Sequence, residues 1–246
     1  MSAIDLRCGD WRDVLADVEC DALITDPPYG PRTHEWHDAG VEGVHRESRS
    51  DEERRREGGG GPAARRRKLN YGSWQPEDVR EFVAAWAPRV RGWFCAMSCS
   101  DLMPVWREAL DAAGLCTFAP VACVIRAMSV RLSGDGPSSW TIYLNVARPR
   151  TPAMKAWGAL NGAYVVSRDP GHIGGKPLEL MTSIVRDYSR PGDVIVDPCA
   201  GLATTGIAAE MLGRRFVGAE VDPDTHAKAL ARIAAGVQLD MLGGVA

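Results

Sequence analysis

Arg190-Pro191-Gly192-Asp193-Val194-Ile195-Val196-Asp197-Pro198-Cys199-Ala200-Gly201-Leu202-Ala203-Thr204-Thr205-Gly206 is the stretch that decides how this chain folds. Arg190 to Asp193 has the chemistry of a turn, with proline and glycine side by side. Val194-Ile195-Val196 is a short β-branched run, read as a buried strand that ends at Asp197. The small residues that follow permit close approach of the backbone to a bound molecule. A helix is predicted from there to about Leu212, then a strand from Arg215 to Ala219 ending at Glu220, then a last helix from about Asp224. Strand, helix, strand and helix in this order make a βαβ unit, which implies a parallel pair. Glu220 lies about 20 residues beyond the turn, where a carboxylate can accept from both hydroxyls of a ribose. The pattern points to a nucleoside-bearing cofactor, although it lacks the Gly-x-Gly-x-x-Gly spacing of dinucleotide sites. The bland alternative is a tight structural turn.

Outward from this unit, the rest of the chain repeats the alternation. Ala22-Leu23-Ile24-Thr25, Trp93 to Met97, Cys116 to Ile125 and Thr141 to Val146 read as strands. Val79, Phe82, Val83 and Trp86 form one helical stripe, and Leu102, Val105, Trp106, Ala109 and Leu110 another, closed by Gly114. A further helix bears Met181, Ile184, Val185 and Tyr188. The expected class is α/β with a mostly parallel sheet and helices on both faces. The strand from Ala22 runs into Asp26-Pro27-Pro28-Tyr29. Four residues are a weak pattern, but a position at a strand end sharpens it. Two prolines fix the backbone so that the Asp26 carboxylate and the Pro27 carbonyl address one space, and Tyr29 offers a flat face to a base.

Bulk properties narrow the class. With 246 residues and 45% hydrophobic content the chain can bury a substantial core. The N-terminus is charged, and no stretch has the roughly 18 apolar residues that cross a bilayer, so a cytoplasmic protein without a membrane partner is expected. Seven cysteines without a paired spacing read as buried apolar residues, and His34 and His37 lack further ligands, so no metal is expected. The net charge of −3 hides a local excess. Arg54-Arg55-Arg56 and Arg65-Arg66-Arg67-Lys68 lie in a non-periodic stretch, about 30–70, that also holds Gly58 to Gly61. Local positive charge is what phosphates respond to, so these seven residues are candidates for nucleic-acid contact. Interspersed acidic residues allow the plainer reading of a solvated, mobile loop.

These motifs together resemble the permuted, beta-class amino-methyltransferases of DNA. The family's catalytic motif is Asp, Asn or Ser followed by Pro-Pro and an aromatic residue, which Asp26-Pro27-Pro28-Tyr29 matches. Its cofactor motif, Asp-Pro-Phe-x-Gly-x-Gly, is matched by Asp197-Pro198-Cys199-Ala200-Gly201, with Cys199 for Phe and Ala203 for the second Gly. Gly9-Asp10-Trp11 resembles the segment that receives the cofactor's adenine. Gly171-His172 to Lys176-Pro177 resembles the family's His-x-x-x-Lys-Pro segment. The resemblance implies a Rossmann-like, seven-stranded class I fold over 1–246 as a single domain, with a minimal target-recognition region at about 126–171. It implies S-adenosylmethionine as cofactor, DNA as partner, and transfer to the amino group of a flipped base, adenine N6 ahead of cytosine N4; a homodimer stays open. Asp10, Trp11, Asp26, His172, Lys176, Asp197, Pro198, Cys199, Gly201, Thr204, Thr205, Glu220 and Val221 are the implied cofactor residues, with Lys176 and the 197–205 segment at the methionine end. Other readings are an RNA or protein amide methyltransferase, against which the motif order argues, and a silent DNA-binding module. Deleting residues 40–66 is expected to spare cofactor binding in a titration and to impair transfer of a labelled methyl group to DNA. Undiminished transfer would make the segment a passive insert.

Overall fold

The computed structural model describes residues 3–32, 72–126, 140–150, 157–168 and 175–235. Nine strands form one sheet among these residues. They are β1 (Ile4–Cys8), β2 (Cys20–Thr25), β3 (Val90–Ser98), β4 (Cys116–Thr117), β5 (Val121–Arg126), β6 (Thr141–Arg148), β7 (Ala163–Ser167), β8 (Val194–Asp197) and β9 (Arg215–Glu220). The helices are α1 (Trp11–Val14), α2 (Pro76–Trp86), α3 (Met103–Ala112), α4 (Leu178–Tyr188), α5 (Thr204–Met211) and α6 (Pro223–Ala234).

Across the sheet the order is β1-β9-β8-β2-β3-β6-β5-β7, with β4 beside β6. β1, β9, β8, β2 and β3 run parallel, whereas β6 is antiparallel to β3 and to β5. From β8 the chain crosses over through α5 to β9 on one side, and from β2 through α2 to β3 on the other. The connections therefore diverge between β8 and β2. Such a switch point leaves a crevice at the carboxyl strand ends.

The sheet has two more strands than expected. The reading of one strand over Cys116 to Ile125 is corrected to β4 and β5, separated by Phe118-Ala119-Pro120; Pro120 has no N–H to continue a ladder. β7 is the second addition, an edge strand beside β5 whose residues alternate exposed and buried. It lies within the stretch expected to serve target recognition.

Both faces of the sheet are covered. Ala22 and Ile24 point into a core shared with Cys95, Met97, Leu144 and the α4 residues Leu180, Met181, Ile184 and Val185. Leu23, one residue out of phase, points into the opposite core with Phe94, Ala96 and the aromatic faces of α2 and α3. Phe82 is the centre of that second core, with ring centroids of Trp11 and Trp74 at 5.2 Å and Trp106 at 5.9 Å. α2 starts where Pro76 takes the first turn and the Asp78 carboxylate accepts from the Gln75 N–H at 2.7 Å. α6 starts on Asp222, which accepts from the Thr225 N–H at 3.1 Å.

β2 and β3 approach closely at one point. A Cβ on Gly92 would stand 2.4 Å from the backbone carbonyl oxygen of Asp21. Backbone at both sides of this contact leaves little room for adjustment. Gly92→Ala is expected to lower unfolding stability by about 1–3 kcal/mol in urea titration, the usual scale of overpacking. An unchanged midpoint would show that the pairing of β2 and β3 is more tolerant than its spacing suggests.

Candidate functional site

The crevice is lined by the residues that follow four strand ends. β2 and β8 are neighbours, with Leu23 opposite Val196, so Asp26 and Asp197 emerge side by side. β9 and β1 continue the rim, with Cys8 opposite Glu220. The Gly9 N–H donates to the Glu220 carbonyl at 2.9 Å, which brings Asp10 beside the end of β9.

Asp197 joins the two central strands. Its Oδ1 accepts from the Thr25 hydroxyl at 2.7 Å and the Cys199 N–H at 3.1 Å, and its Oδ2 from the Thr205 hydroxyl at 2.7 Å. The residue is 1% exposed. Burial pushes its carboxyl up to about 6, and the three hydrogen bonds act the other way. With Pro198 also buried, Asp197 braces the site from beneath and presents little surface to a ligand. Thr25 was not among the expected site residues. Its signal was a hydroxyl in an otherwise apolar strand, immediately before Asp26.

The turn after Asp197 is held in an unusual backbone. Gly201 has φ of 52° and Ala203 φ of 56°. The left-handed region explains why a glycine suits the position of Ala203, where an alanine costs about 1 kcal/mol. Arg232 of α6 donates to the Leu202 carbonyl at 2.9 Å and to the Thr204 hydroxyl at 2.8 Å, fixing the turn from outside. No sequence motif signals Arg232; only the packing of α6 brings it there.

Glu220 is tied to the same turn. Its Oε2 accepts from the Gly201 N–H and its Oε1 from the Asp222 N–H, each at 2.9 Å. Burial raises its carboxyl above the ordinary range. Val221, the next residue, is an exposed apolar side chain at 61%. The Cys199 thiol is raised well above its usual range by burial and then by Asp197 and Glu220, so it stays protonated. Asp10 caps α1 by accepting from the Arg12 N–H at 2.9 Å and pairs with the Arg12 guanidinium at 3.1 Å. Trp11 is 8% exposed and packs edge-on against Phe82, so its ring belongs to the core.

On the other side of the crevice, the Tyr29 hydroxyl donates to Asp26 Oδ1 at 2.8 Å. Lys176 Nζ pairs with Asp26 Oδ2 and lies 5.1 Å from the centre of the Tyr29 ring. Lys176 is thus placed on the Asp-Pro-Pro-Tyr segment. Its neighbour Gly175 lies near the other motif: a Cβ there would stand 3.5 Å from the Thr204 hydroxyl. The Trp74 N–H donates to the Tyr29 carbonyl at 3.0 Å, which holds Trp74 beside the tyrosine. Asp26, Pro27, Pro28, Tyr29, Lys176 and the 197–205 turn therefore share one crevice, with Glu220 and Asp10 along its rim. His172 and the basic candidates Arg54, Arg55, Arg56, Arg65, Arg66, Arg67 and Lys68 lie outside the described residues. Among the described residues no group of three His, Cys, Asp or Glu side chains is placed to hold a metal, and no helix is long and apolar enough to cross a membrane.

Residues 139–231 match the family model N6_N4_Mtase, a DNA methylase family. A DNA adenine methyltransferase of Escherichia coli K12, YhdJ, is 34% identical over 77 residues, which are 31% of this chain and 26% of that relative's length. Solved structures match over nearly the whole chain. The complex of M1.HpyAVI with SAM has a TM-score of 0.62 at 18% identity, covering 94% of this chain and 98% of that one. The cytosine-N4-specific PvuII DNA methyltransferase has 0.59 at 14% identity, covering 94% and 86%. At these identities the likeness establishes the fold alone, a Rossmann-like α/β sheet with helices on both faces.

The raised carboxyl of Asp197 has a pH signature. The folded state holds the proton more tightly than the unfolded chain, so this residue's contribution is present below about pH 4 and falls as pH rises through about 6. Stability measured relative to Asp197→Asn, which has no such proton, is expected to decline between those values and to be level above them. A difference that stays constant across the window would show that Asp197 keeps an ordinary carboxyl.

Proposed function

We propose that this chain transfers a methyl group from S-adenosylmethionine to the exocyclic amino group of a base in DNA, adenine N6 in first place. The observation that carries the reading is the shared crevice, in which Asp26 and Tyr29 stand across a parallel strand pair from the Asp197–Thr205 turn. The names of the similar proteins point the same way, two of them being DNA methyltransferases and one a complex with SAM.

The residues present fit such a cofactor. Each oxygen of Glu220 takes one backbone N–H and keeps acceptor capacity for a ribose hydroxyl. Among the described residues nothing lies within 4 Å of where a Cβ on Gly201 would be. Val221 offers an apolar face to an adenine ring, and Asp10 an acceptor to its amino group. When bound, S-adenosylmethionine supplies an electrophilic methyl group.

The chain's own residues supply position and charge. An exocyclic amino nitrogen is a poor nucleophile, because its lone pair is delocalised into the ring. Asp26 Oδ2 and the Pro27 carbonyl accept its two N–H bonds, which draws the nitrogen toward tetrahedral geometry and frees the lone pair. Tyr29 keeps the Asp26 carboxylate in place through its hydroxyl and receives the base on its ring. Positioning and preorganised acceptors provide the acceleration, without a covalent enzyme intermediate. The base must leave the duplex to arrive, at a cost of about a few kcal/mol.

Cytosine N4 is the second reading, favoured by the likeness to the cytosine-specific PvuII enzyme. Adenine is preferred because Asp-Pro-Pro-Tyr in this family is used mostly for adenine and the E. coli relative is named for it. Incubating DNA with the protein and labelled cofactor, then digesting to nucleosides, separates the two by mass. Asp26→Ala is expected to retain cofactor binding in calorimetry and to lose about 10²–10³-fold in transfer, the scale of removing one preorganised electrostatic partner. Transfer at the original rate would remove the mechanism.

A further inference from the structure

Lys176 stands where the proposed substrate should be. Asp26 has two oxygens, and both are engaged: Oδ1 by the Tyr29 hydroxyl and Oδ2 by the Lys176 ammonium. An ammonium presents N–H bonds to the carboxylate as an exocyclic amino group would. Its position over the Tyr29 ring also overlaps the place a stacked base would take. The base therefore cannot reach Asp26 until Lys176 leaves. The departure is also required by charge. As the amino nitrogen gains a methyl group it becomes cationic, and a neighbouring ammonium opposes that development.

The backbone before the lysine passes near the other half of the crevice. A Cβ on Gly175 would stand 3.5 Å from the Thr204 hydroxyl at the start of α5, so Lys176 leaves the backbone beside the turn that would hold the amino-acid end of the cofactor. The tip of the side chain reaches Asp26, on the other side of the crevice. A flexible four-carbon stem with three rotatable donors can redirect its charge without moving the backbone. Resting on the cofactor assignment made above, we infer that Lys176 is a two-position cation. It neutralises Asp26 in the cofactor-free protein and transfers to the carboxylate of the cofactor's amino-acid end, which clears Asp26 for the base. Loading of cofactor is thereby coupled to opening of the base site, and the cofactor enters first.

Two ligands separate the steps. S-adenosylhomocysteine has the amino-acid carboxylate, and 5′-methylthioadenosine has the same nucleoside and sulfur without it. The chain contains four lysines, Lys68, Lys155, Lys176 and Lys228, so protein labelled with 15N at the lysine side chains gives a small set of signals, assigned with Lys176→Met. Asp26→Asn supplies the reference shift for a lysine released from the carboxylate. S-adenosylhomocysteine is expected to move the Lys176 signal toward that reference, whereas 5′-methylthioadenosine binds and leaves it in place. In calorimetry Lys176→Met is expected to weaken S-adenosylhomocysteine about tenfold, the loss of one charge-assisted contact, and to leave 5′-methylthioadenosine unaffected. An unmoved signal despite binding, equal movement with both ligands, or equal weakening of both would overturn the switch while leaving the cofactor assignment intact. If neither ligand binds wild-type protein, the cofactor assignment falls and takes the switch with it.

Discussion

The carboxylate of Asp197 is the contact on which the rest of the site depends. It is fully buried at the point where the crossovers diverge, and it draws Thr25 of β2, the Cys199 N–H of the turn and Thr205 of α5 onto two oxygens. Strand pairing brings β2 and β8 side by side, but Leu23–Val196 is the last pair of the ladder. Beyond it the strands separate to form the crevice, and hydrogen bonds to Asp197 set how far. A buried carboxyl is expensive unless satisfied, and here every partner belongs to an element that carries site residues. The energy that satisfies Asp197 therefore also fixes the distance between Asp26 and the turn.

The fold was legible where periodicity and punctuation agreed. The 190–224 stretch has a turn, a β-branched run, small residues and a second strand, each bounded by glycine or proline, and the structure has β8, α5 and β9 there. The stripes of Val79 to Trp86 and Leu102 to Leu110 became α2 and α3 for the same reason. β1 and β7 were not read from the sequence. Both are outer strands of five residues, Ile4–Cys8 with alternating apolar and charged side chains and Ala163–Ser167 with a short apolar run. Patterns so short are common in loops, and only a ladder to a neighbour distinguishes them. The break at Pro120 was visible as a residue but not as a consequence, because a proline can also occupy the end of an edge strand.

The site was legible as motifs and not as contacts. Asp26 to Tyr29, Asp197 to Thr205 and Glu220 meet as their strand-end positions required. Trp11, a cofactor candidate, packs its ring edge-on against Phe82 in the core, because a large ring next to an aromatic cluster gains from burial. Thr25 and Arg232 could not have been assigned by motif. One acts by a hydroxyl that faces inward, the other from a helix 30 residues beyond the turn it supports. Lys176 lies on Asp26 and Tyr29, a contact that its motif did not specify. A motif specifies which segment comes near, and a flexible four-carbon stem leaves open which group the ammonium meets.

The two halves of the crevice differ in how they are built, and under the proposed function this bears on which base is modified. On the turn side, Asp197, Glu220 and Arg232 each hold backbone groups in place, so the shape is set before a ligand arrives. On the Asp26 side, the carboxylate itself is met by side chains, tyrosine on one oxygen and lysine on the other. A carboxylate and a carbonyl that accept two N–H bonds recognise an amino group beside a ring nitrogen, a feature common to adenine and cytosine. The acceptor pair thus defines the reaction without defining the base. Discrimination must come from the size and polarity of whatever closes around the ring. Tyr29 contributes one face of that enclosure. Its carbonyl accepts from the Trp74 N–H, so the backbone on either side of the ring is held in place.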